Sequence, residues 1–361
     1  FRVLNASTTN NELIGVDSVD SVLRLLSNNT GHLSGFTSDS DTIAAREGNA
    51  VVSLNGYLYS LGGCNSSGTA TNGVQHTKLN ADGSVNTWLT TSANLPNTVC
   101  DASATTYNGY IYISGGTTSA ATSDDIIVGR PGADGVISSW TTLSVTMPDD
   151  LKDHALYAYN GYLYVVGGQD TANAAVAHSN DVSYAKINAD GTIGSFTTQA
   201  DWIPANRMNF GFAVANGYMY IVGGKASNGG SGVNTVYYGK INANGSLSGG
   251  TASTAAAAPF SYRGTRSVVM NGYLYSLGGN TSGSSSVNSV YAAPLASDGN
   301  VGTWTLDSSV LLGNRDTGGM AVSNNYAYYI GGWDGTDEQA NVWYASATRV
   351  KIGASLDLIG Y

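Results

Sequence analysis

Three arginines stand nine residues ahead of an Asn: Arg46 before Asn55, Arg207 before Asn216 and Arg315 before Asn324. A fourth, Arg263, precedes Asn271 by eight. Guanidinium groups at repeated positions can grip a carboxylate through paired N–H donors, as an acidic sugar would require. Carboxylates occur in the same neighbourhoods at Glu47, Asp101 and Asp153. Two of them face to face could serve as acid and base on a glycosidic bond. Nothing in their spacing selects a pair, so no catalytic set is assigned. Gln169, Lys225 and Trp333, with Asp334 next, each follow a Gly-Gly. Trp202 and Trp333 fall outside the repeated pattern and are the aromatic candidates for contact with a sugar or a protein partner. His32, His76, His154 and His178 show no metal-ligand spacing, so no metal or other cofactor is assigned. Asp39 with Asp41, Asp124 with Asp125, and the run from Trp333 to Glu338 offer hard oxygens on loops. They leave a structural calcium open, although none has the twelve-residue loop pattern.

These residues hang on a repeat. The phrase NGYLYSLGG at Asn55 returns with small changes at Asn108, Asn160, Asn216, Asn271 and Asn324, at intervals of 53, 52, 56, 55 and 53 residues. A period near fifty with a double glycine indicates propeller blades. In each copy an apolar run leads to Asn-Gly, a pair suited to the two-residue hairpin whose central residues both take positive φ. An aromatic and β-branched strand follows and ends at Gly-Gly. A third strand (VSYAKI from Val182, VYYGKI from Val236) runs into a second hairpin pair, such as Asp82-Gly83 or Asp134-Gly135. A fourth strand carries an aromatic residue five places past that glycine: Trp88, Trp140, Phe196 and Trp304, with Gly250 departing from the pattern. Each unit therefore has four antiparallel strands, a to d. The near-continuous apolar character of strand b fits a sheet buried on both faces.

Ring closure is also predicted. After the sixth Gly-Gly the chain supplies a strand c at Asn341 to Ser346 but no matching strand d. The segment Gly31 to Thr37 has the missing pattern, with Phe36 five places after Gly31. Leu33 to Thr37 is expected to complete the last blade and remove the open edges. The propeller then spans 31–346, with a separate β segment at 1–30 and a flanking segment at 347–361. Val22 to Leu26 resembles a further strand c that would compete for the same slot. The flanks, and an opening at Phe1 without a basic and apolar leader, read as a module of a longer chain with neighbouring modules.

In a propeller the d-to-a and b-to-c loops share one face and surround the axial mouth. That places Arg46, Asp101, Asp153, Gln169, Arg207, Lys225, Arg263, Arg315 and Trp333 on the face where ligands are expected. Cys64 and Cys100, the chain's two cysteines, fall on the same face of neighbouring blades, within reach of a disulfide; two free buried thiols are the alternative.

Composition limits the partners. The 361 residues are 42% hydrophobic and 11% charged, with a formal net charge of −10, which disfavours nucleic acid and anionic membrane surfaces. No apolar run is long enough to insert in a membrane as a helix. A surface dominated by hydroxyls and amides points to an extracellular or cell-surface location.

The recurring arginine, the strand ending in Gly-Gly and the downstream Trp resemble the kelch repeat, over residues 31–346. Val99, Leu151 and Tyr262 replace the arginine in the remaining copies. The resemblance implies an all-β, six-bladed propeller in which the arginines tie adjacent blades together through backbone carbonyls and carboxylates. It is nearly silent on activity, because such propellers serve binding, surface and enzymatic roles. A copper centre like that of kelch-type galactose oxidases is not expected, given the scattered histidines. Two readings follow. The first is a non-catalytic binding or scaffold module, of the type found in bacterial surface proteins, recognising a glycan or a protein at the axial face. The alternative is a carbohydrate-active enzyme, of sialic-acid mutarotase or glycosidase type, using mouth arginines and carboxylates.

Overall fold

The structure, a computed structural model, describes residues 14–17, 22–25, 31–40, 42–118, 121–170, 179–227, 229–249, 251–281, 285–307, 309 and 311–347. It is a six-bladed β-propeller. Blade 2 shows the full pattern: Ser103–Tyr107, Tyr110–Ser114, Ile126–Pro131 and Ile137–Thr142 pair in that order, all antiparallel. Strand d shortens elsewhere. It is Ser253–Thr254 in blade 4, Thr305–Leu306 in blade 5, and in blade 1 only the paired main chain of His76 and Leu89. Gly250, the departure in blade 4, lies outside the described residues.

The hairpins form as the sequence requires. Asn55 and Gly56 have φ of 52° and 80°, and the other Asn-Gly pairs match. The double glycine has a steric cause. Gly62 and Gly63 both have positive φ, and a Cβ on Gly62 would meet the Val99 carbonyl of the next blade at 2.7 Å. That approach lets the Gly63 N–H donate to Val99 O at 2.8 Å, and the corresponding bond joins every neighbouring pair of blades, ending with Gly332 to Arg46.

Six hydrophobic clusters fill the six clefts between blades. One, built on Tyr59, Leu61, Ile111 and Ile113, joins blades 1 and 2; another, built on Leu58, Trp88, Tyr328 and Ile330, joins the last blade to the first. On the hairpin face the first Tyr of each repeat covers the turn glycine of the following blade: Tyr57 lies on Gly135, Tyr110 on Gly191 and Tyr326 on Gly83. The second Tyr is fully buried, and in Tyr59, Tyr112 and Tyr164 its hydroxyl donates to the same glycine's carbonyl. These tyrosines are interlocks between blades and leave no free aromatic platform.

The closing strand is present. Thr37–Ser38 pairs with Val342–Ser346, matching Tyr344 to Thr37 and Trp343 to Ser38. Leu33 bridges Ala347, and Phe36 shares a core with Trp343. Gly31 sits under Tyr273 as the turn glycines sit under the other tyrosines. Val22–Leu25 does not compete for this slot, because it pairs with Ile14–Asp17 in a separate two-stranded sheet.

Candidate functional site

Strand a of every blade borders the axis, and together the six enclose a cavity of about 370 Å³. The cavity is capped by a ring that the fold builds from one position per blade, seven residues before each hairpin Asn: Gly48, Asp101, Asp153, Asn209, Gly264 and Thr317. All six are left-handed, with φ between 48° and 65°. Gly48 donates its N–H to Thr317 O, Asp101 to Gly48, Asp153 to Asp101, Asn209 to Asp153, Gly264 to Asn209 and Thr317 to Gly264, at 2.8–3.1 Å. The hydrogen bonds therefore run once around the axis and close. Gly, Asn and Asp accept this backbone readily, whereas a β-branched Thr at φ 48° is strained. The signal was in the sequence as a column of Gly, Asp and Asn, but Thr317 obscured it.

Above blade 6 the ring borders a second cavity of about 300 Å³, lined by Glu47, Asn209, Arg263, Gly264, Asn280, Asp316, Thr317 and Trp333. A hydrogen-bond chain crosses its floor. Arg263 donates to Asn280 Oδ1 at 3.5 Å, and Asn280 Nδ2 donates to Asp316 Oδ2 at 2.8 Å. The Thr317 hydroxyl lies 3.0 Å from both Asp316 Oδ1 and Glu47 Oε2. Burial raises the Glu47 carboxyl above its ordinary range, and Asp316, Glu338 and Asp153 add to this, against the lowering effect of Thr317. Asn209 Oδ1 is buried at the edge of both cavities without a hydrogen-bond partner.

The residues expected from the sequence to form a site divide sharply, and several need correction. Trp202 is 0% exposed, packed in the cleft between blades 3 and 4 against Gly239, so it cannot touch a ligand. Arg46, Arg207 and Arg315 are 7%, 2% and 4% exposed and line neither cavity. Arg46 donates to the carbonyls of Gly62 and Gly73. Arg207 binds Asn206 O, Thr235 Oγ1 and the Tyr237 hydroxyl, and lies over the Tyr237 ring. Arg315 donates to Asn314 O, Gln339 Oε1 and Asn341 Oδ1 and stacks on Trp343 at 4.3 Å. The expected tie between blades is thus made differently. Each guanidinium braces its own blade, and the arginine's carbonyl accepts from the neighbour's second glycine.

Gln169 and Lys225 are buried beside the ring, Gln169 paired in register with Lys152 and Lys225 with Met208. Asp334 is committed to its own loop, accepting from the N–H groups of Thr336 and Asp337 and from Gln339 Nε2. Asp101 and Asp153 stand on the ring, and Arg263 and Trp333 line the mouth cavity. Position after Gly-Gly places Asn280 on the axial face, but sequence reasoning does not single out Thr317, because its contacts with Asp316 and Glu47 join one blade to the next. Cys64 and Cys100 form a disulfide with Cα atoms 5.2 Å apart, linking blades 1 and 2 beside the mouth. Among the described residues no group of three or more His, Cys, Asp and Glu side chains is arranged to hold a metal ion. Asp41 lies outside them.

Asp101 is the most perturbed carboxyl of the mouth. Burial first, then Asp153, raises it to about 7; Glu47 adds to the rise, and Lys152 and Arg266 oppose it. The Lys152 ammonium is 3.9 Å away, and a quarter of the Asp101 side chain remains exposed. The folded protein therefore holds a proton here that the unfolded chain releases near 3.8, so the associated stability is complete below that pH and lost as pH rises through about 7. Asp101→Asn removes the charge and is expected to gain about 1 kcal/mol at pH 8, a figure reduced for solvent screening, and nothing at pH 4. Urea melts at the two pH values check this; a loss at pH 8 would mean that the Lys152 contact outweighs the repulsion. His154 is buried, hydrogen-bonded through Nε2 to Ser114 Oγ at 2.8 Å, and burial lowers it to about 3, so it stays neutral.

No family model matches the chain, and no curated protein matches it. Among 597 matching solved chains is that of YjhT, which superposes with a TM-score of 0.66 over 85% of this chain and 95% of its own, at 14% identity. A likeness at that identity establishes the fold and leaves function to the site.

Proposed function

We propose that this kelch-like propeller is a secreted or cell-surface binding module that takes a glycan, or a polar group of a protein, into the mouth cavity beside Trp333. The observation that carries the reading is the composition of that cavity. An indole adjoins a guanidinium, an amide and carboxylates, the combination of one flat apolar face with a few directed polar groups that suits a saccharide. The Cys64–Cys100 bridge supports an oxidising compartment, where such bonds persist. The net charge of −10 argues against polyanionic partners.

A glycan array with the wild type and Trp333→Ala tests the reading. Truncating a half-buried Trp at the centre of a binding site costs about 2 kcal/mol or more, so the best wild-type signals are expected to fall at least tenfold. Unchanged signals in a folded variant would remove the cavity as the site.

The enzymatic alternative, of sialic-acid mutarotase or glycosidase type, draws support from the Asp101 carboxyl held near neutrality beside Asp153, since proton transfer is most efficient with such a group. Turnover of a saccharide that disappears in Asp101→Asn would favour it over simple binding.

A further inference from the structure

The mouth is electrically divided. Glu47, Asp101 and Asp153 come from blades 1, 2 and 3 in succession, with the Lys152 ammonium 3.9 Å from Asp101. Lys225, Arg263 and Arg266 come from blades 4 and 5. Next to them on blade 6 the Asp316 carboxylate is buried and accepts from Asn280, Ser286 and Thr317. Acidic groups therefore predominate on one arc and basic groups on the other. The two arcs feel each other: Asp153 and Asp101 act on Lys225, and Arg266 acts on Asp101.

The mouth cavity sits across this division. Arg263 with Asn280 forms its blade 5 wall, Glu47 its blade 1 wall, and Asp316, Thr317 and Trp333 of blade 6 lie between, with Asp316 already held by Asn280 and Ser286. From this placement we infer that the cavity selects a zwitterionic saccharide, one bearing an unsubstituted ammonium and a carboxylate on the same sugar. The carboxylate meets Arg263 and the Asn280 amide, which offer N–H donors. The ammonium meets Glu47 and the Thr317 hydroxyl, which offer oxygens. The sugar ring lies along Trp333. A bound ammonium also relieves the repulsion Glu47 suffers from Asp316, Glu338 and Asp153. A ligand with only one of the two charges satisfies one wall and leaves the other facing its own kind. This inference rests on the binding reading above and names the ligand class of the same site.

The test uses three related probes: muramic acid, which has both groups, glucosamine, which has only the amine, and N-acetylmuramic acid, which has only the carboxylate. Isothermal titration with the whole protein at pH 7 and low salt is expected to show muramic acid binding at least tenfold more tightly than either of the others. Arg263→Gln is expected to abolish its advantage over glucosamine, and Glu47→Gln its advantage over N-acetylmuramic acid. Glu47→Gln keeps side-chain size, Arg263→Gln shortens the side chain but keeps N–H donors, and unchanged thermal melts verify the fold of both. Equal affinity for the three probes, or an advantage that survives both substitutions, overturns the inference. If N-acetylmuramic acid or an uncharged array glycan binds as well and loses affinity in Trp333→Ala, the selection fails while the binding reading stands. If no saccharide shows Trp333-dependent binding, the inference and the glycan form of the binding reading fail together.

Discussion

A chain beginning at Thr42 should fail to give a cooperative melt, or should melt well below the full protein, because it lacks the strand that closes the ring. Residues 31–38 supply two buried side chains, Leu33 and Phe36, at 3% and 7% exposure, to the cleft between blades 5 and 6. Truncating such residues costs about 2–5 kcal/mol each. The strand also satisfies Asp307, which is 1% exposed and accepts from Leu33 N at 2.8 Å and Ser309 N at 2.9 Å, with His32 Nδ1 3.1 Å away. Without Leu33 and His32 that buried carboxylate loses two of its three partners. The sum reaches most of the roughly 5–15 kcal/mol that holds a domain together. Phe36→Ala is a milder form of the same change, with an expected loss of about 3–4 kcal/mol in urea. A shortened chain that melts like the parent would show that the ring does not depend on this closure.

Arg315→Ala should cost about 3 kcal/mol of stability and leave ligand affinity within about twofold in the folded protein. Its guanidinium is enclosed by Asn314 O, Asn341 Oδ1, Gln339 Oε1 and the Trp343 ring, so truncation leaves a void and unpartnered acceptors. Arg263→Ala should behave in the opposite way. It lines the mouth and is half-buried, so its loss is expected to weaken saccharide binding at least tenfold while changing stability by less than about 1 kcal/mol. Calorimetric melts and titrations on the two variants separate the roles. If Arg315→Ala abolished binding in a protein that still melts cooperatively, the division between bracing and binding arginines would be wrong.

The same division governs how much of the molecule is legible in its sequence. The blades are legible because the hairpin Asn-Gly pairs and the double glycine answer local backbone demands, and those recur at every copy. Closure is legible for the same reason: Gly31 and Phe36 repeat the spacing of a turn glycine and its aromatic partner. The site is less so. Arg46, Arg207 and Arg315 share a spacing because they share a structural task, so the regularity that draws attention to them marks them as scaffold. Trp202 breaks the repeat, yet it fills the cleft against Gly239. The residues that line the mouth, Arg263, Asn280, Thr317 and Trp333, stand at positions whose residue type changes from blade to blade. Their meeting depends on the contact between blades, which no single repeat encodes.

The most direct test of the mouth as the binding site is a crystal structure of the protein with its best-binding saccharide. The ligand is expected beside Trp333, with its polar atoms within about 3 Å of Arg263, Asn280 or Glu47. A ligand seated on the hairpin-turn face, or on the outer edges of the blades with the mouth empty, would contradict this assignment.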